Sequence, residues 1–378
     1  MIYRDFQDLK LSALGLGCMR LPVIEGKDGE IDEKAVFDMV DYAMANGINY
    51  YDTAWGYHNG NSELVMGRAL KRFDRDSFYL ASKFPGYDVS NMDKVDEIFM
   101  KQLEKCQVDH FDFYLFHNVC ETNIDGYLDP KYGVHDKLMK HKAEGRIRHL
   151  GFSAHGALPV MKRFLEAYGK DMEFCQIQLN FFDWDFQDAR GKVELLKEYG
   201  IPVWVMEPVR GGKLAKLDDE YEARLKALRP EEDAPAWAFR FVQSIPEVTM
   251  VLSGMSNMDQ LRANIATFSE DKPLNDKEME TLLGIAKDMA SKGTVPCTAC
   301  HYCTSHCPQE LDIPYIITQY NEEKMSGGAL AAMRIGRLPE DKRPSACIGC
   351  RSCEAVCPQQ IKVSELMSEF AEILAPKL

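Results

Sequence analysis

The sequence predicts an α/β fold: a closed barrel of eight strand-and-helix units over residues 1–290, followed by a small, mainly helical domain over residues 291–378. Three observations predict it. Before residue 290, eight short apolar runs of β-like composition alternate with amphipathic helical stretches, the pattern of repeated βα units on a parallel sheet. Such a barrel typically takes about 250 residues, so the first segment has the length for eight units. Cysteine usage then changes abruptly: Cys18, Cys106, Cys120 and Cys175 are scattered through the first segment, whereas eight cysteines crowd between Cys297 and Cys357. An open doubly wound sheet is the competing architecture for the first segment.

In chain order, the predicted strands centre on residues 14–17, 48–51, 78–82, 111–116, 147–152, 174–179, 202–206 and 249–253. The clearest helix starts at Asp32, a good N-cap. It lays Ala35, Val36, Met39, Val40 and Ala43 on one stripe and stops at Asn46-Gly47. A helical run over 276–292 with apolar Met279, Leu282, Leu283, Ile285, Ala286 and Met289 ends the first segment at Gly293, with Pro296 beyond. In the tail, helical stretches fall at 314–324 and 364–374, with a small-residue run at 327–332 between them. No internal repeat of 20 to 50 residues and no low-complexity linker is visible.

A formal net charge of −14 argues against nucleic acid and anionic membrane as partners. The first ten residues lack the apolar core of a signal peptide, and no stretch of 18 uncharged apolar residues occurs, so a cytoplasmic protein with no membrane span is expected. Twelve cysteines, about 3% of 378 residues, are too few for a disulfide scaffold, and their spacing suggests metal ligation.

Cys297, Cys300, Cys303 and Cys307 precede Pro308 with the spacing C-x2-C-x2-C-x3-C-P, and Cys347, Cys350, Cys353, Cys357 and Pro358 repeat it. Three thiolates at this spacing wrap one iron–sulfur cube, while the fourth reaches the other cluster. This assigns Cys297, Cys300, Cys303 and Cys357 to one [4Fe-4S] cluster, and Cys347, Cys350, Cys353 and Cys307 to a second. Zinc, the alternative, needs only four thiolates and leaves cysteines of each run idle. The segment resembles the dicluster ferredoxins. Its 39 residues between Cys307 and Cys347 make it more like the helical ferredoxin domains attached to larger redox enzymes. His301 and His306, inside the first run, read as surface histidines.

Catalytic residues of such barrels sit where strands end. Asp52, Lys83 and His117 follow the second, third and fourth runs, and Tyr57 lies five residues past Asp52. A phenol, with a pKa of about 10, becomes a better proton donor to a carbonyl beside a cation. Lys83 and His117 are expected to lower Tyr57, and Asp52 to keep Lys83 charged. Singly, each has an ordinary reading as ion pair, core histidine or loop aromatic; together, in chain order at strand ends, they form a constellation.

Tyr51-Asp52-Thr53-Ala54, Tyr57, Ser82-Lys83 and Phe116-His117 resemble the Asp, Tyr, Lys and His tetrad of the aldo-keto reductase family. The whole chain looks like the members that carry a carboxyl-terminal ferredoxin domain. The resemblance implies a TIM barrel that binds NADP or NAD without a Rossmann fold, with Tyr57 protonating the carbonyl that receives hydride. It implies that Ser153 and Gln176 bond the nicotinamide carboxamide, although the family's Asn beside that Ser is Ala154 here. Met206 stands where the family often stacks a Tyr on the nicotinamide. The loop Arg210-Gly211-Gly212 has the small residues and the cation that a pyrophosphate needs, at the usual phosphate site of barrels. Gly254, Ser256, Gln260 and Asn264 fit the family's adenosine-binding loop, but the basic residues some members use for a 2′-phosphate fall on Gly254 and Gln260. NADPH and NADH both stay open. Gly15-Leu16-Gly17 lacks a third glycine and is not a dinucleotide fingerprint.

Hydride carries two electrons and each cluster takes one, and no flavin site is recognisable to convert between them. Three readings follow. The leading one is an NAD(P)H-dependent reductase of a small aldehyde or ketone, with the clusters transferring electrons, to a redox partner protein for example, or acting structurally. The second is a flavin- or cluster-driven one-electron reductase, motivated by Ala154 and Met206. The third is a non-catalytic redox sensor or electron-transfer module.

Overall fold

A computed structural model describes residues 1–25, 27, 29–295, 297, 303–327, 329–357 and 359–378, without the side chains of Lys292 and Ser326. Cys300, His301 and Pro358 lie outside the described residues. The chain divides into two compact units, Met1–Thr281 and Leu282–Leu378.

The first unit is a closed, all-parallel barrel. Its strands are β3 (Leu14–Gly17), β4 (Tyr50–Asp52), β5 (Tyr79–Phe84), β6 (Phe111–Val119), β7 (Ile147–Ala154), β8 (Cys175–Gln178), β9 (Val203–Met206) and β10 (Val248–Ser253). They pair in that order, with β10 closing onto β3. These correspond to the eight apolar runs, and closure excludes the open sheet. The helix Glu33–Ala45 buries Val36, Met39, Val40 and Ala43, and the Asp32 side chain accepts from the Ala35 N–H at 3.1 Å.

An antiparallel hairpin, β1 (Tyr3–Phe6) with β2 (Leu9–Ser12), precedes the barrel and was not anticipated from the sequence. In the sequence, Met1 to Lys10 show only an alternation of charged and apolar residues. In space, Phe6 packs edge-to-face on His149, Phe174 and Trp204 at centroid distances of 5.1, 6.4 and 5.0 Å. Those residues lie near the starts of β7, β8 and β9, so Phe6 plugs the amino-terminal end and leaves the carboxyl end for a site.

The second unit is built on the helices Ile313–Ser326, Leu330–Gly336 and Val363–Leu374, with no strand among its described residues. Leu311, Ile313, Ile316, Ile317, Ile335, Val363, Met367 and Phe370 form its core with Cys303 and Cys353, and Cys297, Cys307, Cys347 and Cys357 pack against it. None of the helices is long and apolar enough to cross a membrane among the described residues.

Candidate functional site

Asp52 ends β4, Lys83 lies near the end of β5, His117 lies in β6, and Tyr57 opens a short 3-10 segment, Tyr57–Gly60. Barrel closure brings all four together. The Lys83 ammonium, fully buried, donates to Asp52 Oδ1 at 2.5 Å, to the Thr53 carbonyl at 2.8 Å and to Tyr57 Oη at 3.4 Å. The Tyr57 ring meets His117 edge-on at 6.0 Å, and Tyr87 meets the same imidazole at 5.1 Å.

A second layer holds β5 from behind. Buried Glu63 accepts from Ser82 Oγ at 2.7 Å, Gln102 Nε2 at 2.6 Å and Lys105 Nζ at 2.7 Å. Gln102 Nε2 also reaches the Lys83 carbonyl at 3.1 Å, and Tyr114 Oη donates to Gln102 Oε1 at 2.6 Å. This network, missed from the sequence because its members are far apart in the chain, fixes the backbone that carries Lys83.

Burial works against charge on Lys83, but the Asp52 carboxylate outweighs it and holds the ammonium above the ordinary lysine value of 10.5. Desolvation lifts the Tyr57 phenol above 10, with Lys83 pulling the other way without winning. Burial, then the Lys83 charge, holds His117 well below 6.5, so its imidazole is neutral at neutral pH. The expectation that Lys83 or His117 lowers the Tyr57 phenol is therefore corrected: the phenol is raised and stays protonated at neutral pH, and of its two neighbours only Lys83 is charged.

A cavity of about 550 Å³ opens at this end of the barrel, lined by Asp52, Tyr57, His117, Ser153, Gln176, Met206, Gly211, Gly254, Ser256, Gln260 and Asn264. Lys83 sits behind that wall. Gln260 Oε1 accepts from the Ser256 N–H at 2.8 Å, and Asn264 Nδ2 donates to Ser253 Oγ at 3.1 Å, which ties the loop after β10 to the next helix. Arg210 is placed differently from its expected pyrophosphate position. It is buried, its Nε donating to both carboxylate oxygens of buried Asp183 at 3.1 Å, and its guanidinium lies 4.9 Å over the Phe182 ring. A buried carboxylate recruits the nearest cation, and the left-handed backbone at Arg210 (φ 48°) belongs to that turn. Arg20 is the arginine on the cavity wall, beside Gly211 and Gly254, which leave space for its side chain.

Sequence reading also passed over Asn118, Tyr87 and His155, all on the cavity wall. Their signal was adjacency: Asn118 directly follows His117, and His155 lies two past Ser153. Asp52 Oδ2, His117 Nδ1, Asn118 Oδ1 and Gln176 Oε1 are buried without a hydrogen-bond partner among the described residues. Unused polar capacity of this kind suits a bound molecule.

In the second unit, Cys307 from the first cysteine run lines one cavity with Cys347, Cys350 and Cys353 from the second, among Ile348, Arg351, Val363 and Met367. The thiols of Cys303 and Cys353 are buried in the core, and Cys297 and Cys357 pack at its edge. Cys18, Cys106, Cys120 and Cys175 are buried in the barrel.

The aldo/keto reductase family model matches residues 13–287, and the model of the 4Fe-4S dicluster domain matches residues 296–361. An uncharacterized oxidoreductase, YqkF, of Bacillus subtilis is 26% identical over 307 residues, covering 73% of this chain and 92% of that protein. The NADH-specific methylglyoxal reductase of Escherichia coli is 24% identical, over 69% and 91% of the two chains. The holo form of aldo-keto reductase AKR11C1 from Bacillus halodurans superposes with a TM-score of 0.61 at 27% identity, covering 75% of this chain and 96% of that one. An aldo-keto reductase from Klebsiella pneumoniae, in complex with NADPH, shares the fold at a TM-score of 0.60 and 19% identity, over 76% and 96%. The chain belongs to the aldo/keto reductase family, as an oxidoreductase whose barrel is joined to a 4Fe-4S dicluster domain.

Proposed function

We propose that the barrel uses NADPH or NADH to reduce a small aldehyde or ketone, with Tyr57 as proton donor. The observation that carries this is the buried Lys83 ammonium held between Asp52 and Tyr57, two residues of the cavity wall. The residues fit a dinucleotide: Ser153, Gln176 and Met206 would hold the nicotinamide end, and Gly211, Gly254, Ser256, Gln260 and Asn264, with Arg20 in the place expected of Arg210, the phosphates and adenosine. Bound reduced nicotinamide supplies hydride.

The chain's own part is the proton. Tyr57 Oη, protonated at neutral pH, gives its proton to the carbonyl oxygen as that oxygen gains negative charge. Lys83 Nζ, 3.4 Å away, stabilises the phenolate left behind, and Asp52 keeps that ammonium charged and in place. Neutral His117, beside Tyr57, orients the carbonyl as a polar neighbour that does not compete with Tyr57 as an acid.

In the second unit the eight cysteines fit two [4Fe-4S] clusters. Cys307, Cys347, Cys350 and Cys353, which line one cavity, would hold one cluster, and Cys297, Cys300, Cys303 and Cys357 would hold the other. Such clusters supply one-electron transfer, and a redox partner protein at this domain is part of the proposal, as is a cytoplasmic location. The test uses oxygen-free protein: iron and sulfide content, dinucleotide titration, and turnover on a carbonyl panel. Tyr57→Phe is expected to lower turnover by about 10²-fold or more, the usual worth of a general acid. Equal turnover by variant and wild type removes the mechanism.

A further inference from the structure

At the cavity wall β6 breaks its register with β7 between Phe116 and Val119. Asn118, inside that irregularity, adopts the left-handed conformation at φ 58°, which few residues other than glycine tolerate as well as asparagine. Both sides of its backbone are clamped. Its N–H donates to Ser153 Oγ at 2.8 Å, and its carbonyl accepts from Asn123 Nδ2 at 2.7 Å. A strained residue held this firmly needs a compensating purpose. The side chain supplies one: Asn118 Oδ1 is buried on the wall with no partner among the described residues.

Two strands carry the rest of the pattern. Ser153 on β7 is the register partner of Gln176 on β8, whose Oε1 is also buried and unpartnered. Ser153 Oγ accepts from Asn118, which leaves its own hydroxyl proton to give. Neighbouring strands thus present a hydroxyl donor and two carbonyl acceptors to one cavity. A primary carboxamide is the complement, with one carbonyl oxygen and two N–H donors on one nitrogen.

We infer that Asn118 binds the amide nitrogen of the nicotinamide carboxamide together with Gln176, while Ser153 donates to the carboxamide oxygen. This rests on the dinucleotide reading above, and it gives Asn118 the contact that Ala154, next to Ser153, cannot make.

The test is a binding measurement on the full, cluster-loaded chain, read by tryptophan fluorescence. The probes are NADPH and NADH and their 3-acetylpyridine analogues, in which a methyl group replaces the amide nitrogen. Asn118→Gly keeps the left-handed backbone and its N–H while removing the side-chain amide. It is expected to weaken the natural dinucleotide by about 3- to 10-fold, the range for one neutral hydrogen bond, and to leave the analogue's affinity unchanged. Asn118→Asp retains acceptor oxygens and is expected to retain the preference for the amide-bearing ligand. Equal weakening of both ligands, no change in either, or loss of the preference in the aspartate variant overturns the assignment. Wild-type protein that binds none of the dinucleotides overturns the nucleotide reading itself. Wild-type binding with an indifferent glycine variant overturns only the role of Asn118.

Discussion

A lysine with no exposed surface keeps its proton only when an anion shares its surroundings, and Asp52 does so for Lys83 at 2.5 Å. Tyr57 and Lys83 are both shifted above their ordinary values of 10 and 10.5, so carbonyl reduction is expected to be flat in pH through neutrality and to fall only above about pH 10. Asp52→Asn removes the anion and leaves burial unopposed. Lys83 then loses its proton at lower pH, and the alkaline fall of kcat/KM moves down with it. A profile that stays in place in Asp52→Asn would show that the carboxylate does not sustain the ammonium. At this scale the tetrad was legible in the sequence because Asp52, Lys83 and His117 each directly follow a recognisable apolar run and Tyr57 lies five residues past Asp52. The protonation states were not, because whether burial or the neighbouring charge wins depends on distances across three strands and the segment that carries Tyr57. Arg210 shows the same limit: a cation beside two glycines reads as a phosphate ligand, and only the fold shows that buried Asp183 holds it.

Among the elements, a carboxylate ties the hairpin that plugs the barrel to β7 and the approach to β8, beside the bonds of Ser12 and Lys10 to Asn49 and of Tyr3 to the Gly47 carbonyl. Glu173, just before β8, accepts from Gln7 Nε2 in the hairpin turn at 2.8 Å, from the Leu150 N–H at 3.0 Å, and from Lys142, and pairs with His149 Nδ1 at 2.8 Å. Burial alone would raise its pKa, but the hydrogen bonds from His149, Lys142, Gln7 and Leu150 outweigh that and lower it to about 2. Because the folded value lies below the ordinary 4.5, this stabilisation is complete above pH 4.5 and is lost as pH falls from 4.5 towards 2. Glu173→Gln is expected to reduce stability at pH 7 by ~1–3 kcal/mol, with hydrogen exchange rising first in residues 3–12. Urea unfolding at pH 7 and pH 4 checks it, since the variant should lose less than wild type between those values. The helix Glu33–Ala45 was legible, because its cap, stripe and stop are local signals, although Ala35 of the expected stripe is only half-buried. The hairpin was not, because its apolar partner Phe6 becomes meaningful only against Phe113, Phe174 and Trp204.

For the molecule as a whole, charge and cysteine are unevenly shared. Residues 282–378 hold all eight motif cysteines. The sulfurs of Cys303 and Cys353 sit in the core of that unit and Cys297, Cys307, Cys347 and Cys357 pack against it, so metal binding there is expected to be coupled to folding. Iron removal by a chelator under anaerobic conditions is expected to open residues 303–374 to limited proteolysis, and Cys353→Ser, which alters a buried sulfur, is expected to do the same while lowering iron content. Unchanged cleavage after complete iron loss would show that the helices hold without the clusters. Spacing predicts that Cys307 serves the second run, and Cys307 lines one cavity with Cys347, Cys350 and Cys353.

By itself the sequence determined the number and order of the barrel strands, the residues at their ends and the spacing of the two cysteine runs. Each is encoded in periodicity, adjacency or short spacing, which a chain carries without reference to distant parts. Tertiary structure alone decided which polar atoms remain without partners on the cavity wall, which arginine reaches that wall, and that Tyr57 rests as an ordinary protonated phenol. Those outcomes depend on register, burial and electrostatic competition between residues up to hundreds of positions apart, and such quantities exist only once the barrel has closed.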